Sequence, residues 1–371
     1  MSLAIRGMGW VTPLGDEIDE VWQRLLAGEE ATAETVSDPI SNRTYPAFRV
    51  SKVTAAHPRL RRSSAISRFA VGAGLSALRN ASVDLQKNAS RTALVFATSN
   101  GGVIYTKRFY HDIVTTGAQA ASPLLFPETV FNAPASHLAA ILGITGASYT
   151  LVGDAAVGIL ALQMANDLMC NKALDYCLVV AAEEVDWLLC DAYRKWRLLR
   201  NKPPIEPFAA SARGMILSEG AGAVLLARDG QITLDRVASG KNFATRKDAP
   251  SLLREIYSAL NGKPEIIIAS ANGTFIDRAE EKAISLELPH VIVYTPKPAL
   301  GEGVSAGTMW QVIAAAQALL TGQLPSVPHC HRKTSLQISE GQTQNHSWKQ
   351  AVVSTCGLNQ QTTGLRLIKQ V

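Results

Sequence analysis

The sequence predicts a layered α/β protein. Short apolar runs typical of buried strands alternate along the chain with amphipathic or small-residue helices, which is the pattern of sheets covered by helices. The rhythm begins again after Arg228-Asp229-Gly230, so we expect two similar halves, 1–229 and 230–371. With 371 residues, of which 47% are hydrophobic, the chain is long enough to bury a large core.

The elements of the first half follow in order. A strand over Leu3–Val11 runs into the turn of residues 12–15 (TPLG), and a helix over Ile18–Leu26 stops at Gly28. Residues 29–60 are polar and contain several prolines, so we expect an irregular insertion there. Beyond the insertion the pattern predicts helices over 66–81, 134–141 and 156–169, and strands over 92–98, 148–152, 176–182 and 220–227.

The second half repeats this alternation. Strands are predicted over 232–238, 265–269, 291–294, 351–355 and 363–368, and helices over 251–260 and 308–320. The similar rhythm suggests an internal duplication, although the identity between the halves is too weak to establish one.

Charge and cysteine content limit the function classes. The formal charge is +5, with one basic cluster over 59–68 and a second over 194–202. Either cluster is read as a docking surface for an acidic partner or as an ordinary solvated surface. No nucleic-acid-binding motif accompanies the charge. Five cysteines without a CxxC pair argue against a disulfide framework or a metal site and favour a reducing cytosol. Neither a signal peptide nor a membrane span is expected.

Several segments, in the right order and spacing, resemble the β-ketoacyl-acyl carrier protein synthases. They are residues 7–15 (GMGWVTPLG) with 21–28 (VWQRLLAG), 127–132 (PETVFN) with 135–138 (ASHL), 213–222 (RGMILSEGAG) and 354–358 (STCGL). The resemblance implies a thiolase fold, in which duplicated βαβαβαββ halves form a five-layered α/β/α/β/α sandwich and normally dimerise.

The positions that carry catalysis in this family are replaced here. The family places a nucleophilic cysteine in an elbow between a strand and a helix, and the matching stretch 153–158 (GDAAVG) puts Ala155 there. Two histidines assist decarboxylation in the family. Asn272 stands at the first of these positions and Glu302 at the second, while the family's lysine is kept as Lys297. The resemblance therefore implies that the condensing reaction is lost, and no catalytic residue, cofactor or metal is expected.

An inactive synthase copy resembles the chain-length factor of type II polyketide and aryl-polyene systems. Such a subunit forms a heterodimer with an active ketosynthase and shapes the tunnel that holds the growing chain. We accordingly expect a ketosynthase partner, or a second copy of this chain, together with an acyl carrier protein. Phe131, Asn132 and Ala133 are predicted to line the tunnel or the dimer interface.

Two enzymatic alternatives stay open at this point. Cys356 or Glu302 could serve an acyltransferase or hydrolase with altered chemistry, with Asp154 completing the site. Against that, Cys356 is better read as a small buried residue that fills a pocket, and Cys170, Cys177 and Cys190 are read as core residues. A malonyl decarboxylase is the weaker alternative, because that activity would need the histidines that are missing.

Overall fold

The computed structural model describes residues 3–53, 57–331, 334–342 and 345–370. Its strands are β1 (Leu3–Val11), β2 (Ala33–Ser37), β3 (Thr44–Phe48), β4 (Thr92–Thr98), β5 (Ser148–Val152), β6 (Tyr176–Glu183), β7 (Leu217–Ser218), β8 (Gly220–Ala227), β9 (Ile232–Asn242), β10 (Ile266–Ile268), β11 (Ile292–Tyr294), β12 (Leu324–Ser326), β13 (Gln337–Ile338), β14 (Glu340–Gln342), β15 (Gln350–Cys356) and β16 (Gln361–Lys369). Its α-helices are α1 (Ile18–Leu26), α2 (Ala65–Ala81), α3 (Val103–Thr116), α4 (Ala133–Leu142), α5 (Val157–Leu168), α6 (Trp187–Lys195), α7 (Ala249–Leu260), α8 (Phe275–Glu287), α9 (Lys297–Leu300) and α10 (Val304–Thr321).

Eleven strands form one continuous sheet, and its two halves have the same topology. The order is β13-β11-β10-β15-β16-β9-β1-β8-β6-β4-β5, with β1 and β9 joining the halves. Counted along the chain within each half, both β5-β4-β6-β8-β1 and β11-β10-β15-β16-β9 run third, second, fourth, fifth, first. In each set the first three strands pair in parallel. The fourth strand pairs antiparallel to the third, and the fifth pairs antiparallel to the fourth. This repeat confirms the predicted duplication. The proposed division at 229/230 falls between β8 and β9, and its standing as a domain boundary stays a prediction.

Two central helices separate the sheet halves. Almost every residue of α10 is buried, and the helix contacts β8 and β6 of one half and β15 and β10 of the other. A helix that is apolar on all sides belongs in a core. Its neighbour α5 packs on β4 and β6, while α2 covers the outer face of the first half and α7 that of the second. The resulting five layers confirm the thiolase fold.

The glycines of the opening motif have a packing role. A Cβ atom at Gly9 would lie 2.2 Å from the carbonyl oxygen of Ala73, and one at Gly7 would lie 2.3 Å from that of Ala77. Strand β1 therefore approaches the backbone of α2 at a distance that no side chain permits.

The prediction of an irregular insertion over 29–60 is wrong in part, because β2 and β3 form an antiparallel hairpin there. Its prolines suggested a loop. However, β3 pairs with β7 only beyond Pro46, at Ala47 and Phe48, so the proline interrupts no ladder on that side. Helices α3, α6, α8 and α9 were not predicted either. No described helix is long and apolar enough to cross a membrane.

Candidate functional site

Ala155 lies in the turn between β5 and α5, where the resemblance places the nucleophile. Its side chain is buried, and Thr308 Oγ1 on α10 donates a hydrogen bond of 2.7 Å to its carbonyl oxygen. The start of α5 would favour a thiolate through the helix dipole. A methyl group at this position has no bond-forming chemistry.

Asn272, Glu302 and Lys297 form one buried hydrogen-bonded network, with no side chain more than 1% exposed. Glu302 Oε2 accepts hydrogen bonds from Asn272 Nδ2 and Lys297 Nζ, both at 2.6 Å. Its other oxygen accepts a bond of 2.9 Å from the backbone N–H of Val304, at the start of α10. A buried carboxylate held in this way is charge-paired and fully hydrogen-bonded.

Two further buried acids hold the backbone around Asn272. Asp277 accepts hydrogen bonds from the backbone N–H groups of Asn272, Gly273 and Phe208, and burial raises its pKa to about 7. Glu280 accepts bonds from Ser270 on this loop and from Ser354 on β15, and burial raises its pKa as well. The acids that follow the replaced histidine are therefore framework residues that position the loop.

Cys356 ends β15 and is completely buried. Burial raises the pKa of its thiol well above the ordinary value, and the nearby carboxylates of Glu280 and Asp154 add to that effect. Lys297, the cation that favours its thiolate, is already paired with Glu302. A thiolate is therefore disfavoured, which supports the interpretation of Cys356 as a core residue.

The other cysteines divide differently from what the sequence indicated. Cys177 and Cys190 are buried as predicted, but Cys170 is exposed. The prediction for Cys170 is wrong because α5 ends at Leu168, so Cys170 lies in the turn that follows rather than on the buried face.

An open pocket of about 520 Å³ lies on the outer side of Ala155. Asp154 is part of its lining, and its carboxylate accepts hydrogen bonds from the backbone N–H groups of Ala155 and Asn359. Burial raises the pKa of Asp154. The lining comes from the turn after β4, the end of β5, helix α6, the end of β9 and the loop before β16. The lining residues are Ser99, Asn100, Val152, Gly153, Asp154, Leu189, Ala192, Tyr193, Trp196, Asn242, Asn359, Gln360 and Gln361. Ala155, Asn272 and Glu302 are not among them, and all three side chains are buried.

Sequence reasoning missed this pocket. The run of carboxamides at 359–361 directly after the 354–358 motif was the available signal. Tyr193 and Trp196 of the lining belong to α6 and its C-cap, an element that was itself not predicted.

Strand β5 is an edge of the large sheet, and exposed apolar side chains occur on it and in the segment that follows β4. Within the described residues it pairs only with β4. Tyr149 and Val152 on the strand are exposed; so are Tyr110, Val114, Leu124, Phe126, Val130 and Phe131 in the segment that follows β4. An unpaired edge beside an apolar patch is typical of a surface that another chain covers.

The three predicted tunnel or interface residues differ in accessibility. Phe131 is 45% exposed and Asn132 is exposed, whereas Ala133 is buried at the start of α4. The Phe131 ring packs against Gly101, where an added Cβ would lie 2.3 Å from Cδ1, and Gly101 follows Asn100 of the pocket lining. Their role stays a prediction, with Phe131 and Asn132 available to a partner.

His137 is a framework residue. Its Nε2 lies 2.5 Å from Glu128 Oε1, and Glu128 also accepts hydrogen bonds from Ser64 at the start of α2. Burial opposes ionisation of Glu128, but the bonds from His137 and Ser64 outweigh it and lower the pKa to about 2. The hydrogen bonds from Ser64 to Glu128 fix the segment before α4 to the start of α2.

The two basic clusters are not equivalent. Arg59, Arg61, Arg62 and Arg68 are exposed and make no ion pair with any carboxylate in the described part of the chain. In the second cluster, Arg194 and Lys195 pair with Asp191, and Arg200 pairs with Glu206. The first cluster therefore carries the larger uncompensated positive charge.

Comparison with known proteins assigns the family. The sequence profile described as "Beta-ketoacyl synthase, N-terminal domain" matches residues 2–231. The chain belongs to the β-ketoacyl synthase family. A 3-oxoacyl-[acyl-carrier-protein] synthase 2 from Coxiella burnetii is 22% identical over 238 residues, which are 60% of this chain and 57% of that protein. This β-ketoacyl synthase homologue thus spans little more than half the length of such curated relatives.

Two other matches extend over more of the homologue. The polyketide biosynthesis malonyl-ACP decarboxylase PksF of Bacillus subtilis is 25% identical over 356 residues, covering 84% of this chain and 83% of that protein. One chain in the solved complex of the ketosynthase ApeO with its chain length factor ApeC from Xenorhabdus doucetiae superposes on this homologue with a TM-score of 0.85. The two chains are 18% identical, and the match covers 100% of this chain and 98% of that one. The structural match supports the thiolase-like ketosynthase fold.

Proposed function

We propose that this β-ketoacyl synthase homologue is a non-catalytic, chain-length-factor-like subunit of a ketosynthase heterodimer in fatty acid or polyketide-type biosynthesis. The observation that carries the proposal is the sealed network of Asn272, Glu302 and Lys297 together with Ala155 at the nucleophile position. The five-layered framework around these positions is intact.

The network argues against condensation for a physical reason. Decarboxylative condensation needs a thiolate to hold the acyl chain and hydrogen-bond donors aimed at the developing enolate. Ala155 supplies no thiolate, and the Asn272 donor is already engaged by Glu302. A carboxylate at the second position would repel an enolate rather than stabilise it.

The exposed edge of β5 supports a partner of the same fold. A partner strand could extend the sheet there, and the apolar side chains of residues 110–131 would be covered by the same contact. The ApeO–ApeC complex, one chain of which shares this fold, joins a ketosynthase to a chain length factor. A ketosynthase is therefore the partner we propose, with a second copy of this chain as the competing occupant.

An acyl carrier protein is the second proposed partner. The unpaired arginines of the first basic cluster, around the start of α2, offer a positive surface to an acidic protein. Replacing Arg61 and Arg62 together by Glu should weaken carrier binding about tenfold at low salt and reduce its salt dependence, whereas Lys202→Glu in the second cluster should change it little.

We place the complex in the cytosol. The cysteines support this location, because they form no disulfide in the described residues.

Native mass spectrometry after co-expression with a candidate ketosynthase tests the proposal. We expect a 1:1 complex that Val152→Asp disrupts, because a buried unpaired charge at the sheet edge is costly. Leu286→Asp is the matched control, since Leu286 is similarly exposed but lies on α8 in the other half. A stable homodimer that takes up no ketosynthase, or equal behaviour of both variants, would contradict the proposal.

A malonyl-carrier decarboxylase is the competing function that the PksF similarity raises. The buried pairing of Glu302 leaves no free acid or base at that centre in the described structure. Incubation with malonyl-carrier protein followed by intact-mass analysis separates the two functions. Formation of acetyl-carrier protein that depends on Asn272 would favour the decarboxylase.

A further inference from the structure

A second pocket, of about 310 Å³, lies at the start of helix α2 and shares no lining residue with the pocket outside Ala155. Four cations line it: Arg49 and Lys52 from the segment after β3, Arg61 from the turn before α2, and Arg68 from the beginning of that helix. We call this space the arginine pocket. A concave site that gathers charge of one sign attracts ligands of the opposite sign.

The carboxylates near the arginine pocket do not balance its positive charge. Glu219 is the one acid in the described part of the lining, and it is buried. Its oxygens already accept hydrogen bonds from Arg49 Nε and from two backbone N–H groups. Glu184 interacts with the charges of Arg49 and Arg68 and accepts a bond from the backbone N–H of Ile66. With both acids ionised, four cations against two carboxylates leave two positive charges.

The donors of these cations are largely unused. In the described residues, the side chains of Lys52 and Arg61 make no ion pair, and Arg68 donates one hydrogen bond, of 2.9 Å, to the carbonyl oxygen of Ser63. A guanidinium group presents five N–H donors in a planar fork that matches the oxygens of a phosphate. A phosphate monoester carries a charge of about −1.5 to −2 at neutral pH and three acceptor oxygens, so it would balance the two excess charges.

Much of the remaining lining is apolar. Leu60 and Phe69 belong to the core beneath the pocket, and Val50 and Val53 are half-buried. An inorganic ion would leave this apolar surface in contact with water, whereas an organic group attached to the ion would cover it. The volume is near the lower limit for small-molecule sites, which suits a phosphate joined to one ring or a short chain.

We propose that the arginine pocket binds a small organic phosphate monoester, with the phosphate against Lys52, Arg61 and Arg68 and the organic group against Leu60 and Phe69. This binding needs neither the ketosynthase partner nor the proposed function. It gives the first basic cluster a second role. A bound phosphate would neutralise Arg61 and compete there with the carrier protein that we propose as a partner.

Calorimetric titration of the purified full chain at about pH 8 and low salt tests the site with three probes. Phenyl phosphate carries the ring and the dianion, inorganic phosphate lacks the ring, and benzenesulfonate has the ring with a single negative charge. We expect phenyl phosphate to bind about ten times more tightly than either of the other two. Equal binding of inorganic phosphate or of benzenesulfonate, or no binding of phenyl phosphate at millimolar concentration, would overturn the proposal.

Paired substitutions locate the binding. Lys52→Gln combined with Arg61→Gln removes two lining cations and should weaken phenyl phosphate binding about tenfold or more. Arg59→Gln combined with Arg62→Gln is the matched control, because it removes the same charge from the same cluster at two positions that do not line the pocket. The control pair should change the affinity less than about threefold.

All four substituted residues are exposed, so both paired variants should fold, and thermal denaturation checks that they do. Equal losses of affinity in the two pairs would show diffuse attraction to surface charge and would overturn the site. The titrations contain neither a ketosynthase nor a carrier protein. Their outcome is therefore independent of whether the heterodimer forms or a carrier docks.

Discussion

Glu302 Oε2 and Lys297 Nζ lie 2.6 Å apart in the core of the protein, where both side chains are buried. The resemblance to the family implies that this lysine is retained, and it places the glutamate where a catalytic histidine is expected. The lysine has thereby acquired a structural counter-ion. The replacement at 302 is coupled to that at 272, because Asn272 donates to the same carboxylate oxygen.

Removing one member of this buried pair should strongly destabilise the fold. Glu302→Ala leaves the Lys297 ammonium without a counter-ion, and losses of about 3–5 kcal/mol in unfolding free energy follow from breaking such pairs. Urea denaturation followed by circular dichroism measures the change.

Two controls make this prediction specific. Glu302→Leu combined with Lys297→Met removes both charges and should recover most of the lost stability. Glu255→Ala breaks the exposed Lys241–Glu255 pair and should cost less than about 1 kcal/mol. A Glu302→Ala variant no less stable than Glu255→Ala would show that the buried pair carries little energy.

The sequence predicts the framework of this molecule better than its site. Strands such as Thr92–Thr98 and helix α10 were evident because continuous burial leaves a continuous apolar run. Helix α3 was not, because none of its residues is buried in the isolated chain and its apolar residues form no single stripe. The resemblance identified which catalytic residues are replaced. It did not reveal that Glu302 is bound by Lys297, since contacts between side chains depend on tertiary packing.

Restoring the nucleophile alone should leave the chain inactive. Ala155→Cys places a thiol at the start of α5, but the Glu302 network supplies no group to stabilise an enolate. We expect condensation to stay at background in an assay with acyl- and malonyl-carrier proteins, alongside an active ketosynthase as positive control. A β-ketoacyl product above background would refute the claim that the network, and not only the missing cysteine, prevents the reaction.

The cysteines should differ in reactivity by position. Native-state labelling with iodoacetamide, read by peptide mass spectrometry, should modify the exposed Cys170 and spare Cys356. Because burial and neighbouring carboxylates raise the pKa of Cys356 well above its ordinary value, raising the pH to about 9 should not change this order. Labelling in urea should reach both thiols. Preferential modification of Cys356 in the folded protein, or its acylation by an acyl-CoA, would instead favour the altered-enzyme alternative.

Glu183 should make the fold less stable as the pH rises. The residue is buried at the end of β6, where it accepts hydrogen bonds from the backbone N–H of Ser99 and from Ser305 Oγ, and burial raises its pKa to about 7. In the unfolded chain its pKa would be near 4.5. Between these two pKa values the native state therefore binds a proton that the unfolded chain has released. The stabilising effect of this proton is present below about pH 4.5 and is lost as the pH rises through about 7.

The variant Glu183→Gln cannot ionise at this position, so its stability relative to the parent should increase from pH 5 to pH 8 by up to about 3 kcal/mol. Urea titrations at both pH values measure the difference, with the exposed Glu34→Gln as control. If both variants differ from the parent by the same amount at pH 5 and pH 8, the Glu183 carboxyl does not hold a proton in the folded chain.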